Sequence, residues 1–248
     1  MTVTPSVRAA RRPDAQKANG MRVVEIFQSK QGEGLWTGVT STFVRTVGCN
    51  LHCGFCDTTY ASWQSEHGVD LAVEEIVGRA ILLGNRHVIL TGGEPMIQSE
   101  TVMLTELLAE RKYTVTVETA GTVYLPIKCD LISISPKLSN SIPEGVSEAI
   151  LKRHNTNRKR IESVRRLIAE HPYQLKFVVD QPEDLLEVEE YLKELGTASP
   201  DRVYLMPMAI DADVMNAKAE WIGAYCKGRG YRCCPRMQLV WYGNKRGT

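Results

Sequence analysis

No apolar run in this chain approaches the ~18 residues that a membrane-spanning helix needs, so no such segment organises it. Excess charge of one sign is missing as well. Thirty Lys and Arg stand against 29 Asp and Glu, a net charge of +1, and nothing global marks a nucleic-acid or membrane surface. No internal repeat is found. The pattern of a secretory leader is also missing, and the seven cysteines are therefore expected in a reducing cytoplasm, where clustered cysteines bind metals or do chemistry rather than form disulfides. What remains is an ordinary soluble composition, 43% hydrophobic and 24% charged over 248 residues. It is long enough for one large α/β domain with a full core.

Residues 1–20 stand apart. They hold Arg8, Arg11, Arg12 and Lys17, two prolines and almost no large apolar residue. They read as a disordered tail ahead of a single domain over 21–248, with Met21 directly before the first strand and able to serve as a start. Strand-like runs follow at 22–27, 42–47, 87–90, 113–117, 130–135, 173–179 and 202–206, with a final extended segment at 231–242. Helical spacing appears at 71–83, 100–110, 158–170, 182–195 and 212–226, while 138–157 looks irregular. Strand and helix alternate, which predicts a parallel sheet with crossover helices. About six strands in a partial, open barrel are expected.

The densest chemistry lies at Cys49-Asn50-Leu51-His52-Cys53-Gly54-Phe55-Cys56. Three thiolates on one tight loop select zinc, copper(I) or an iron–sulfur cluster. A closed structural zinc site takes four ligands, so three leave a position open for chemistry. His52 is wedged between two ligands and is poorly placed to supply the fourth. Other polar motifs fall just after strands: Thr91-Gly92-Gly93-Glu94-Pro95, Glu118-Thr119 and Ser135-Pro136-Lys137. In parallel α/β folds ligand sites lie at that edge, so these motifs should converge with the cysteine loop. The Gly92-Gly93 pair exposes backbone groups and is followed by a carboxylate.

With C-x3-C-x2-C ahead of a parallel α/β chain and Gly-Gly-Glu-Pro behind it, the sequence resembles the radical S-adenosylmethionine superfamily. Glu25-Ile26-Phe27, Gln31-Gly32-Glu33-Gly34, Phe43-Val44-Arg45, Gly48-Cys49-Asn50-Leu51, Cys56-Asp57-Thr58 and the closing Trp241-Tyr242-Gly243-Asn244-Lys245-Arg246-Gly247 narrow the resemblance to 7-carboxy-7-deazaguanine synthases. It runs from Met21 to Thr248. The resemblance implies a [4Fe–4S] cluster on Cys49, Cys53 and Cys56 and S-adenosylmethionine on the open iron. The adenine would lie on Phe55, and Asp57, Gly93, Glu94, Glu118, Ser135, Pro136 and Lys137 would make further cofactor contacts. Mg²⁺ would sit at Thr58, and Lys30, Gln31, Gly32, Arg45 and Thr91 would face the substrate. A guanidinium at Arg45 suits a carboxylate because it forks onto both oxygens.

The implied reaction is ring contraction of 6-carboxy-5,6,7,8-tetrahydropterin to 7-carboxy-7-deazaguanine with loss of ammonia. A 5′-deoxyadenosyl radical initiates it and is regenerated at the end. An external electron donor of flavodoxin or ferredoxin type and a homodimer are implied too, with no membrane and no direct nucleic-acid partner. The seven Lys and Arg between residues 152 and 166 read as a solvated helix face and loop without interleaved aromatics. Cys129, Cys226, Cys233 and Cys234 read as buried small hydrophobes rather than a second cluster. Met206, ahead of Pro207, offers no side-chain hydrogen bond to a cofactor. The alternatives are a glycyl-radical-enzyme activase and a non-enzymatic iron–sulfur or zinc module. Neither accounts for all of these motifs.

Overall fold

The structure, a computed structural model, describes residues 20–243 and residue 245. Residues 1–19 of the expected tail, and Asn244, Arg246 and Gly247 of the closing motif, lie outside the described residues, while Gly20 opens the first strand. In chain order the elements are β1 (Gly20–Lys30), β2 (Thr40–Thr46), α1 (Thr59–Ser62), β3 (Val69–Ala72), α2 (Val73–Leu82), β4 (His87–Gly92), α3 (Thr101–Glu110), β5 (Thr114–Thr119) and β6 (Leu131–Ile134). Then come α4 (Glu148–Arg158), α5 (Ile161–Glu170), β7 (Tyr173–Val179), α6 (Asp184–Leu195), β8 (Val203–Pro207), α7 (Ala212–Arg229), β9 (Arg232–Cys233) and α8 (Met237–Tyr242).

The strands make one sheet in the order β3-β1-β2-β4-β5-β6-β7-β8-β9. From β2 to β9 every pairing is parallel, and β1 runs antiparallel to both β2 and β3. The order has two ends and does not close, so the sheet is the open barrel expected, extended at one edge by the β1–β3 ribbon and at the other by the two-residue β9. The expected parallel strand at 22–27 is therefore a longer, antiparallel one. Residues 71–83 split into a strand and a helix, and 138–157 contains most of α4. The extended segment expected at 231–242 is mostly α8. Pro235 cannot donate to a ladder, so β9 stops before it, and the chain folds back over the open end of the barrel.

Strand periodicity sorts the two faces of the sheet. Val115, Val117, Ile132, Ile134, Leu175, Phe177, Val203 and Leu205 point outward and are buried with Val164, Leu167, Val188 and Ile222 of the helices. Each fully buried side chain of this size contributes roughly 1.5–3 kcal/mol, so this outer layer supplies most of the apolar stabilisation. The alternate positions, Thr116, Glu118, Ser133, Gln174 and Lys176, point into the barrel. They are polar, and the pleat gives them no access to the outer layer. The inner face is left for chemistry.

Candidate active site

A cavity of about 1010 Å³ opens at the carboxyl ends of the parallel strands. Cys49, Cys53, Phe55, Cys56, Asp57 and Thr58 of the β2–α1 loop line it, with Thr91 at the end of β4, Gly93 just after it and Glu118 on β5. Ser135 and Lys137 after β6, Lys30 at the end of β1 with Gln31 and Gly32 just past it, and Arg45 on β2 complete the set brought together from the sequence. Sheet register explains the row: Arg45 stands opposite Thr91, and Glu118 opposite Ser133. Drug-sized ligand sites occupy roughly 300–1,000 Å³, so the chamber has room for two small molecules side by side.

The cysteine loop is held from several directions. The Gly48 N–H donates to Ala61 O at 2.8 Å, the Glu94 N–H to Gly48 O at 2.8 Å and the Gly54 N–H to Ser141 O at 3.0 Å. A Cβ on Gly93 would stand 2.0 Å from Gly48 O, so only glycine lets the β4 end pack against this loop. His154, fully buried on α4, accepts the His52 N–H through Nδ1 at 3.0 Å, and its Nε2 stands 3.1 Å from Ser141 Oγ. Ser141 donates to Leu138 O, so it accepts from Nε2–H, and this fixes the tautomer. Burial first, and then the Arg158 charge, holds His154 down at about 4, so it stays the neutral acceptor. Asn157 donates to Asn50 O at 2.9 Å and Trp63 Nε1 to Leu51 O at 3.0 Å, while the His52 and Trp63 rings stack 3.5 Å apart.

Three thiols facing one cavity suit a cluster better than an ion. Among the described residues no group of three His, Cys, Asp or Glu side chains converges to hold a metal ion. A cubane cluster does not ask for that convergence, because each thiolate binds a different iron. Burial, with Glu94 next, pushes the Cys49 thiol up to about 12; burial, partly offset by Lys137, pushes Cys53 up to about 11. Both are protonated without metal, and iron loading must release their protons. Thr58 adds one hydroxyl on the same wall. That fits Mg²⁺, which keeps much of its water and borrows substrate oxygens.

A second polar assembly forms the floor. Lys176 Nζ lies 2.7 Å from Glu33 Oε2 and 3.9 Å from Glu118 Oε1. Arg236 Nε is 3.5 Å from Glu33, and Gln238 donates to Glu33 at 2.8 Å. Glu118 accepts from Gln31 Nε2 at 2.9 Å and from Thr91 Oγ1 at 2.8 Å. A Cβ on Gly32 would overlap Gln238 at 1.9 Å, so this glycine admits α8 to the floor. Lys176, Arg236, Gln238 and Ser133 were not singled out from the sequence. The signal for Lys176 and Gln174 was there: two polar residues two apart inside an otherwise apolar strand.

Two expected contacts do not reach the chamber. Glu94 is fully buried and does not line it. Its carboxylate accepts from Thr119 Oγ1 and the Ala120 N–H, both at 2.7 Å, and from the Met96 N–H at 3.1 Å. It ties the β4 and β5 ends together. Burial raises its pKa despite those donors. Pro136 is also buried outside the lining, between Ser135 and Lys137, which do face the cavity and bond to each other at 2.7 Å. Glu118, expected on the cofactor, is bonded to Gln31 and Thr91, two of the five residues expected on the substrate. Arg45 Nε pairs with Glu25 at 2.8 Å, and Tyr60 OH donates to the same carboxylate. Of the closing motif, Gly243 and Lys245 line the cavity. Cys226 and Cys234 are buried, and Cys129 and Cys233 pack partly buried against the outer core.

Residues 43–173 match the family model described as the radical SAM superfamily. The chain is 42% identical over 250 residues to a 7-carboxy-7-deazaguanine synthase from Rhodopirellula baltica, covering 99% of this chain and 96% of the relative. It is 36% identical to one from Halobacterium salinarum, covering 92% and 94%. Among solved structures it is similar to QueE from Escherichia coli, with a TM-score of 0.66 and 26% identity over 89% of this chain and 95% of that one.

Proposed function

The chain belongs to the 7-carboxy-7-deazaguanine synthase family of the radical SAM superfamily, and we propose how its chamber divides between cofactor and substrate. The observation that carries the proposal is the single cavity shared by the cysteine loop and the Gln31–Glu118–Thr91 hydrogen-bonded row. The substrate is 6-carboxy-5,6,7,8-tetrahydropterin and the product 7-carboxy-7-deazaguanine, with ammonia lost. When bound, a [4Fe–4S] cluster with S-adenosylmethionine supplies hydrogen abstraction at C6 of the pterin, and Mg²⁺ offsets anionic charge during ring contraction.

The protein's part is binding and orientation. Cys49, Cys53 and Cys56 hold the cluster, and Phe55, Asp57, Gly93, Ser135 and Lys137 the S-adenosylmethionine. Thr58 gives its hydroxyl to Mg²⁺. Lys30, Gln31, Gly32, Thr91 and Glu118 read the pterin: Glu118 turns the Gln31 amide and the Thr91 hydroxyl toward the ring and presents a carboxylate to its N–H edge. Glu25 takes Arg45 Nε, which leaves the terminal amino groups as the fork for the substrate carboxylate. The same reading assigns a cytoplasmic homodimer and an external one-electron donor.

Arg45→Ala separates the two halves of the chamber. Losing a charge-assisted hydrogen bond worth ~1.5–3 kcal/mol should raise KM for the pterin by about 10- to 100-fold, while iron content and S-adenosylmethionine binding stay at wild-type level. Steady-state kinetics and iron analysis check it. An unchanged KM would remove Arg45 from the substrate site.

A further inference from the structure

The basic run that the sequence left as a solvated face divides into two classes in the structure. Arg158 pairs with Glu187, Arg165 with Glu162 and Arg166 with Glu170. Lys152, Arg153, Lys159 and Arg160 are exposed and make no ion pair among the described residues. No acidic residue lies between Leu151 and Arg160. The nearest exposed acids along the chain are Glu162, which pairs with Arg165, and Glu148, at the other end of α4. Helical spacing brings Lys152 and Arg153 onto the side opposite His154 and Arg158, and Lys159 and Arg160 follow directly at its carboxyl end.

The inner side of the same helix grips the cysteine loop. His154 accepts the His52 N–H and Asn157 donates to Asn50 O. Gly54, between Cys53 and Cys56, is exposed and is tied through its N–H to Ser141 O, just ahead of α4. No residue of α4 lines the chamber, so the cations are placed to meet something outside it, beside the thin cover of the cluster loop.

We propose that the outer face of α4, together with the exposed rim at Gly54, is the docking surface for the one-electron donor, and that the donor is a protein with an acidic patch around its own redox group. This rests on the function read above. One electron leaves the donor, oxidising it by one, and enters the cluster, reducing it by one. A steered encounter suits this role, because four unpaired cations raise the association rate, and electron-transfer complexes are small and transient. Nucleic acid is the other polyanion that a basic face meets. Single-strand binding draws on stacked aromatics, and residues 151–160 contain none.

The test uses the cluster-loaded chain and a reduced acidic flavodoxin, with flavin oxidation followed by stopped flow. For the wild type the second-order rate should fall steeply as salt shortens the screening length from about 30 Å toward 8 Å. Lys152→Glu with Arg153→Glu, and separately Lys159→Glu with Arg160→Glu, should each lower the low-salt rate by about tenfold or more and flatten its salt dependence. Lys227→Glu, an exposed cation on α7, should leave both unchanged. Iron content and product formation driven by dithionite, which needs no docking, should match wild type in every variant; their loss would report damage to the site instead. If both double variants are reduced at the wild-type rate with the wild-type salt slope, the proposal is overturned. It is overturned equally if tRNA binds this face and the charge reversals abolish that binding without slowing flavin oxidation.

Discussion

Replacing Lys176 with methionine should lower the unfolding free energy by about 3 kcal/mol, measured by chemical denaturation of the metal-free chain near neutral pH. Lys176 is almost wholly buried and its ammonium lies 2.7 Å from Glu33. Methionine fills similar volume, so the effect is electrostatic: a buried carboxylate loses its nearest counter-charge. Breaking such pairs costs roughly 3–5 kcal/mol, and the low end applies because Arg236 and Gln238 still face Glu33. Adding Glu33→Gln to Lys176→Met should recover more than half of the loss. The pH dependence has a definite sign. Burial by itself would raise the Glu33 carboxyl, but Lys176 and then Arg236 bring it from 4.5 down to about 2. Burial would likewise lower Lys176, and Glu33 and then Glu118 raise it. A carboxylate depressed in the folded state stabilises fully above its unfolded value and stops doing so as pH falls through its folded one. The wild type should therefore lose stability between about pH 4.5 and 2, and Lys176→Met should show a shallower loss there. A cost under about 1 kcal/mol would place the pair among exposed, weak ion pairs.

Cys53→Ala should abolish both the cluster and turnover. Reconstituted wild-type chain should carry about four irons and the visible absorption of sulfur-to-iron charge transfer, and the variant should carry neither. The surrounding loop should survive, because its supports are backbone bonds to Ala61, Ser141 and His154 that do not involve the thiol. Cys129→Ala and Cys226→Ala should leave iron content unchanged, since both side chains pack with the outer core. Full iron in Cys53→Ala would remove that thiol from the ligand set. About eight irons in the wild type would mean a second cluster.

The parallel sheet was legible because β-branched runs alternate with amphipathic helices, and the chamber because its motifs fall after strands. The β1 direction was not, since a pairing partner is a long-range fact that strand periodicity does not carry. The 231–242 segment was misread for a related reason. Its apolar residues satisfy a strand or a helix equally, and it is the contact of Gly32 with Gln238 and of Arg236 with Glu33 that seats α8. Glu94 is legible as a carboxylate after two glycines, but its partners are not. Its three donors come from residues 96, 119 and 120, two of them on a neighbouring strand end. Lys176 went unremarked inside an apolar strand, although a lone cation there is costly unless paired and so points to a partner across the barrel.

The central claim is that one chamber joins the Cys49–Cys53–Cys56 loop to a pterin-reading wall. Anaerobic reconstitution of the chain, followed by addition of 6-carboxy-5,6,7,8-tetrahydropterin, S-adenosylmethionine, Mg²⁺ and a reductant, tests it most directly. The account predicts 7-carboxy-7-deazaguanine with S-adenosylmethionine conserved over many turnovers. An intact cluster that binds S-adenosylmethionine and yields no deazaguanine would contradict it.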